Sequence, residues 1–257
     1  MTTPLLNPTN PLDLPTVQMK ETMNQGSIGR QHAALIAGIG YILLFGLAIF
    51  ANFFVREGLV VSGDAQATAA NIAESDTLFR LGLLAFLAIF LIDIVVAWAL
   101  HIVFRARHHD LSLVAAWSRL VYTVFLGVAA IFFFQALAVY ESTALADAIT
   151  SAERNAQALI GLELFNSTWL IGLAAFGLHL IILGTLVARS SETPRWLGKA
   201  MIVAGAAYIV DTAAHTVLAD YEQYADALLV LVAVPSVIAE GCLGIWLLTR
   251  ARRGLTA

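Results

Sequence analysis

Four ionisable residues, Asp93, Arg119, His179 and Glu240, lie inside apolar stretches where protein or lipid must replace water. A charge held there is costly, and it marks either a structural pairing or a functional site. At a helical rise of about 1.5 Å per residue, Asp93 lies about 16 Å from the inner end of its stretch, Arg119 about 12 Å, His179 about 14 Å and Glu240 about 13 Å. The four therefore share one layer. Asp93 and Arg119 occupy stretches joined by a short loop and are expected to meet as an ion pair, which offsets most of the cost of burying either charge. Glu240 then has no basic partner unless Arg119 bridges both carboxylates. A carboxyl that can change its charge is what proton coupling requires. Tyr122, close to one turn after Arg119, and His179 are expected to extend the hydrogen-bonded cluster. His179 taken alone reads first as a neutral packing residue.

A second polar layer is expected nearer the outer surface. Tyr208, Asp211 and His215 are spaced i, i+3 and i+7 and share one helical stripe. Glu163 and Asn166 enter from the outer end of the preceding stretch, and Asn52 from that of the first. Asp211, His215 and an opposing Glu163 would supply three ligands for a divalent cation if the helices face one another. A capped, hydrogen-bonded helix end explains the same residues without a metal, and neither a metal nor any other cofactor is assigned. Arg80 either holds an anion with nearby loop amides or snorkels and pairs with Glu57 or Asp76. A retinal Schiff base is excluded because the lysines, Lys20 and Lys199, lie in the tail and at an inner interface. A bis-histidine haem is disfavoured because His101, about 5 Å from its inner end, and His179 lie at different depths. Phosphate-loop, dinucleotide-binding, serine-hydrolase and paired-histidine zinc motifs are absent.

Apolar residues make up 60% of the 257 and charged ones only 12%, which excludes an ordinary water-soluble chain. Six apolar runs stand out, at 31–55, 79–104, 111–140, 158–188, 196–218 and 227–249. Each is long enough to cross a hydrocarbon core of about 30 Å as an α-helix. The expected fold is all-α: a polytopic integral membrane protein, a six-transmembrane-helix bundle over 31–250, with both termini cytoplasmic. Residues 1–30, interrupted by Pro4, Pro8, Pro11 and Pro15, read as a flexible tail, and 251–257 as a basic one. The orientation rests on basic residues. Lys20, Arg30, Arg105, Arg107, Arg189, Arg195, Lys199, Arg250, Arg252 and Arg253 fall on one side, against Arg56, Arg80 and Arg154 on the other. Net charge is -4, and nothing forms a nucleic-acid footprint.

The outer segment 56–78 predicts a short surface helix capped within Ser62-Gly63-Asp64, then a second cap at Ser75-Asp76 opening the second span. Residues 141–157 read as helical extensions of the neighbouring spans. Gly172, Gly177, Gly184, Gly198, Gly205, Gly241 and Gly244 are expected where helices approach closely. Pro235 is expected to kink the sixth span one turn before Glu240. The lone Cys242 packs.

Several short stretches carry a family resemblance. They are Asn52-Phe53-Phe54-Val55-Arg56-Glu57-Gly58, Gly63-Asp64-Ala65, Ala69-Ala70-Asn71-Ile72, Leu78-Phe79-Arg80-Leu81-Gly82 and Trp117-Ser118-Arg119-Leu120-Val121-Tyr122. Together with segments between 33 and 250, they resemble the family called domain of unknown function 4386. That resemblance implies a six-helix bacterial inner-membrane protein and carries no activity. Three functions are weighed: transporter- or channel-like handling of an ion, proton or small solute by the inner layer; a non-enzymatic membrane partner with a structural polar core; and, last, a membrane enzyme built on the outer His/carboxylate groups. The expected partners are the lipid bilayer and a small solute or ion, and oligomeric state is left open. Reporters fused to the two ends are expected to respond from the same, cytoplasmic side; signals from opposite sides would overturn the six-span reading.

Overall fold

Lipid offers no hydrogen bonds to a backbone, so a chain this apolar satisfies its amides internally as helices. The computed structural model describes residues 28–253, and its regular elements are all helical. The N-terminal tail through residue 27 and the last four residues lie outside the described residues.

Six helices are long and apolar enough to cross a membrane: α1, Arg30–Leu59; α3, Asp76–Phe104; α4, His109–Glu141; α6, Ser151–Ala188; α7, Arg195–Val217; and α8, Ala225–Arg253. Between them lie the short helices α2, Ala65–Glu74, and α5, Thr143–Ala148. All six predicted runs are present, lengthened wherever polar residues wind extra turns beyond the apolar stretch. The clearest case is α6, which starts seven residues before its predicted run because Thr150 and Glu153 form a reciprocal capping box. The 141–157 segment is not a plain extension of its neighbours. Ser142 breaks α4 with extended backbone and caps α5 by accepting from the Leu145 amide at 3.2 Å. Residues 251–253, assigned from sequence to a tail, instead continue α8.

In the outer segment, Asp64 caps α2 by accepting from the Gln66 and Ala67 amides at 3.1 and 2.9 Å, while the preceding Gly63 takes φ +72°. Ser75 occupies the next cap position, yet its side chain makes no capping bond. Helix α1 ends in a π-helical stretch, Phe50–Arg56, of the kind that often accompanies functional positions.

Each span packs on its neighbour in sequence, and α8 closes the circle against α1. The result is a ring of six helices. Helix α2 lies against α6, the span on the far side of the ring from the one it follows, and buries Thr68 and Ile72. Toward the end where α2 lies the interior is aromatic: Phe79 stacks on Phe133 at 4.5 Å, and Phe165 meets Phe86 and Phe133 at 4.7 and 5.4 Å. Large apolar side chains such as Leu84, Leu91, Val203 and Val230 remain exposed on the outside, as lipid contact requires.

The glycine expectation holds best between α6 and α7. A Cβ on Gly205 would lie 2.4 Å from the Gly177 carbonyl oxygen, and one on Gly198 2.5 Å from that of Gly184, so the two backbones touch directly. Gly241 does not belong to this set, because nothing lies within 4 Å of a Cβ built there. Gly205→Leu is expected to lower stability by about 1–3 kcal/mol through overpacking, measured as thermal unfolding in detergent. Gly241→Ala should stay within about 0.5 kcal/mol of the parent.

Candidate polar site within the ring

The predicted inner layer assembles at the centre of the ring. Arg119 on α4 is 2% exposed and Asp93 on α3 is 1% exposed. The Arg119 guanidinium donates from Nε to Asp93 Oδ1 at 2.8 Å and again from Nη2 to the same oxygen. Its Nη1 donates to Tyr41 Oη at 3.0 Å and to His179 Nε2 at 3.3 Å. His179 is fully buried, and its Nδ1 lies 2.8 Å from the Ala115 carbonyl oxygen, which can only accept. Nδ1 therefore carries the proton, Nε2 presents its lone pair to Arg119, and the imidazole is neutral. The guanidinium carbon also lies 5.1 Å from the ring centroids of both Tyr41 and Phe176.

Tyr122 joins through packing, with its ring 4.9 Å from Phe176 and its hydroxyl accepting from Trp169 Nε1 at 3.4 Å. Tyr208 packs edge-on against Phe176 at 5.5 Å and feels the charges of Glu240 and Arg119, so it belongs to this layer and not to the outer one. Glu240 acts electrostatically on Arg119, Asp93, Tyr41 and Tyr122. It is half-buried, and among the described residues no side chain hydrogen-bonds or ion-pairs with it. Pro235, inside α8 five residues before Glu240, has no amide to give the helix. Tyr41, Phe176 and Trp169 were not singled out from sequence. Tyr41 was within reach, since ten residues from the start of its run put it about 15 Å deep, level with Asp93.

The outer residues do not converge. Asp211 accepts from Tyr221 Oη at 2.8 Å, and His215 lies edge-on to the same Tyr221 ring at 4.3 Å. Asn166 instead meets α1, accepting from Arg56 Nη1 at 3.3 Å, while Arg56 Nε donates to Asn52 at 2.6 Å. Glu163 stands exposed. Among the described residues no three His, Cys, Asp or Glu side chains assemble as metal ligands, so the three-ligand arrangement of Glu163, Asp211 and His215 is not formed. The convergence an outer catalytic site would need is missing with it. Arg80 pairs with Asp76 at 2.8 Å, as expected, and with Glu141 in place of Glu57, which pairs with Arg56 at 2.8 Å.

At the opposite end, Glu192 ties the ring together. Arg30 and Arg107 reach its carboxylate at 3.3 and 3.1 Å, and its carbonyl accepts from Arg250 at 2.6 Å and Trp246 at 3.3 Å. Gln31 donates to the Ala251 carbonyl at 2.6 Å, so the described beginning and end of the chain meet at one face.

Removing one partner of the buried pair leaves a charge without compensation. Asp93→Ala is expected to cost about 3–5 kcal/mol, while Asp93→Leu with Arg119→Met should recover most of that loss. Chemical or thermal unfolding of the detergent-solubilised protein measures both; a double variant as unstable as the single would show that the pairing is not what Asp93 supplies.

An uncharacterized protein of the archaeon Archaeoglobus fulgidus is 30% identical over 123 residues, covering 48% of this chain and 60% of that protein's length. No solved structure matches. The family model described as "Domain of unknown function (DUF4386)" matches residues 36–251, spanning all six helices and every residue of the polar layer. The chain is a member of the DUF4386 family.

Proposed function

We propose that this membrane protein binds and passes a proton or a monovalent cation through the central polar layer, with Glu240 as the group that takes it up. The observation that carries the reading is the uneven pairing of two carboxylates around one guanidinium. Asp93 holds Arg119 at 2.8 Å, whereas Glu240, within the same electrostatic neighbourhood, has no hydrogen-bond or ion-pair partner among the described residues. One guanidinium, two carboxylates and a neutral imidazole sum to -1. In a low-dielectric interior such a layer reaches neutrality when Glu240 binds one proton or meets one monovalent cation.

The layer lies between the end of the ring where α2 packs on α6 and the end held by the Glu192 cluster, and passage through it requires both ends to open in turn. The host is the cell membrane with both ends in the cytoplasm, which the excess of basic residues at one face favours. A second reading, a non-enzymatic membrane partner with a purely structural polar core, is favoured by the mutual pairing of Asp93, Arg119 and His179.

Proteoliposomes loaded with a pH-sensitive dye or, for sodium, a sodium-sensitive one separate the two. The parent chain is expected to dissipate an imposed pH or sodium gradient faster than empty vesicles. Glu240→Gln should keep the parental unfolding temperature and lose most of that flux, about tenfold or more. A parent no faster than empty vesicles, or Glu240→Gln as fast as the parent, leaves the structural core as the reading.

A further inference from the structure

The basic face of the ring contains a cleft that the central layer does not use. It has a volume of about 350 Å³, lies between the 105–108 connection and the end of α6, and is lined by Arg107, His108, Leu111, Leu186 and Arg189. Two guanidiniums and an imidazole thus stand beside two leucines at the level where the spans leave the membrane. Helix α4 begins at the same place, with His108 in its cap position, so the positive end of a 33-residue helix adds to the local potential.

The neighbouring acids leave this charge uncancelled. Glu192 is shared between Arg30 and Arg107, and Asp110 pairs with His109 from a side chain 86% exposed. Arg189 is exposed, and its side chain makes no hydrogen bond or ion pair among the described residues. Arg107 gives Nη2 to Glu192, yet its Nε–H is buried without an acceptor. Burial also pulls the Arg107 guanidinium below its ordinary range, an imbalance that a nearby anion would correct.

We propose that this cleft binds the phosphate headgroup of an anionic phospholipid, with Arg107 and Arg189 taking the phosphate oxygens and Leu111 and Leu186 packing against the start of the lipid's apolar part. Arginine forks match phosphate oxygens in geometry and charge, and basic pockets between the ends of spans are where membrane proteins hold such headgroups. The leucines distinguish this ligand from a free phosphate, which has nothing to place against them. The site is separate from the central layer, so its failure and that of the proton or cation reading are independent.

The test uses the full chain in mild detergent, with unfolding temperature followed on addition of phosphatidylglycerol, phosphatidylcholine of the same acyl chains, or sodium phosphate against sodium chloride at matched ionic strength. Phosphatidylglycerol is expected to raise the unfolding temperature by about 2–4 °C and phosphatidylcholine to leave it unchanged. Arg189→Gln, which breaks no ion pair among the described residues, should keep the lipid-free temperature and lose most of the rise. Native mass spectrometry should show one retained phosphatidylglycerol in the parent and depletion of it in Arg189→Gln. A rise produced equally by millimolar sodium phosphate and abolished by Arg189→Gln would keep the phosphate site but overturn the lipid as its ligand. Equal rises with the two lipids, or a full rise in Arg189→Gln, would overturn the site itself.

Discussion

Burying one guanidinium at the centre of the bundle constrains the rest of the structure. Arginine does not shed its proton under conditions a cell meets, so Arg119, 2% exposed among apolar helices, must be neutralised and hydrogen-bonded where it stands. Unpaired, such a charge costs several kcal/mol even after relaxation. Its surroundings come from three other spans: Asp93 from α3, Tyr41 from α1, and His179 and Phe176 from α6, around Arg119 on α4. These contacts set the rotation of each helix about its own axis, which apolar packing against lipid-like neighbours defines only weakly. His179 shows how tightly the demand propagates, because its tautomer follows from one carbonyl on α4 and one donor on Arg119.

Away from this layer the bundle is held by different physics at each level. Stacked phenylalanines fill the ring toward the outer end, where no polar group competes for the space. Between α6 and α7 the backbones touch at paired glycines, since helices in lipid gain more from close approach than from apolar burial. At the basic face, Glu192 gathers arginines from α1, the 105–108 connection and α8 around one short turn. The ring is therefore cross-linked by polar contacts at its centre and at one end, and closed by α2 at the other.

Sequence reveals the axial coordinate of this structure and little of the angular one. Hydropathy located all six spans, because a chain in lipid has few alternatives to a helix of crossing length, and residue counts placed Asp93, Arg119, His179 and Glu240 at one depth. Whether groups at equal depth meet depends on helix rotation. Glu163 and Asn166 sit three residues apart, yet Asn166 meets Arg56 on α1 while Glu163 stands exposed, and the three-ligand arrangement fails for that reason. Tyr208 was misplaced by the opposite error. A stripe from Tyr208 to His215 runs about 10 Å along α7, long enough for its two ends to serve different layers. Tyr41 escaped notice because an uncharged residue in an apolar run raises no alarm, and Glu192 because a single acid among many bases reads as background.

The two polar regions of the protein carry opposite imbalances. The central layer holds two carboxylates against one guanidinium, and the basic face holds arginines, among them Arg189, in excess of the acids that reach them. Screening levels the first only weakly, because Asp93, Arg119 and His179 are buried and Glu240 is half-buried, whereas the second faces the aqueous boundary where counterions exchange. The same fold thus gathers carboxylates in excess at its centre and arginines in excess at its rim, where Arg107 both lines the cleft and pairs with Glu192.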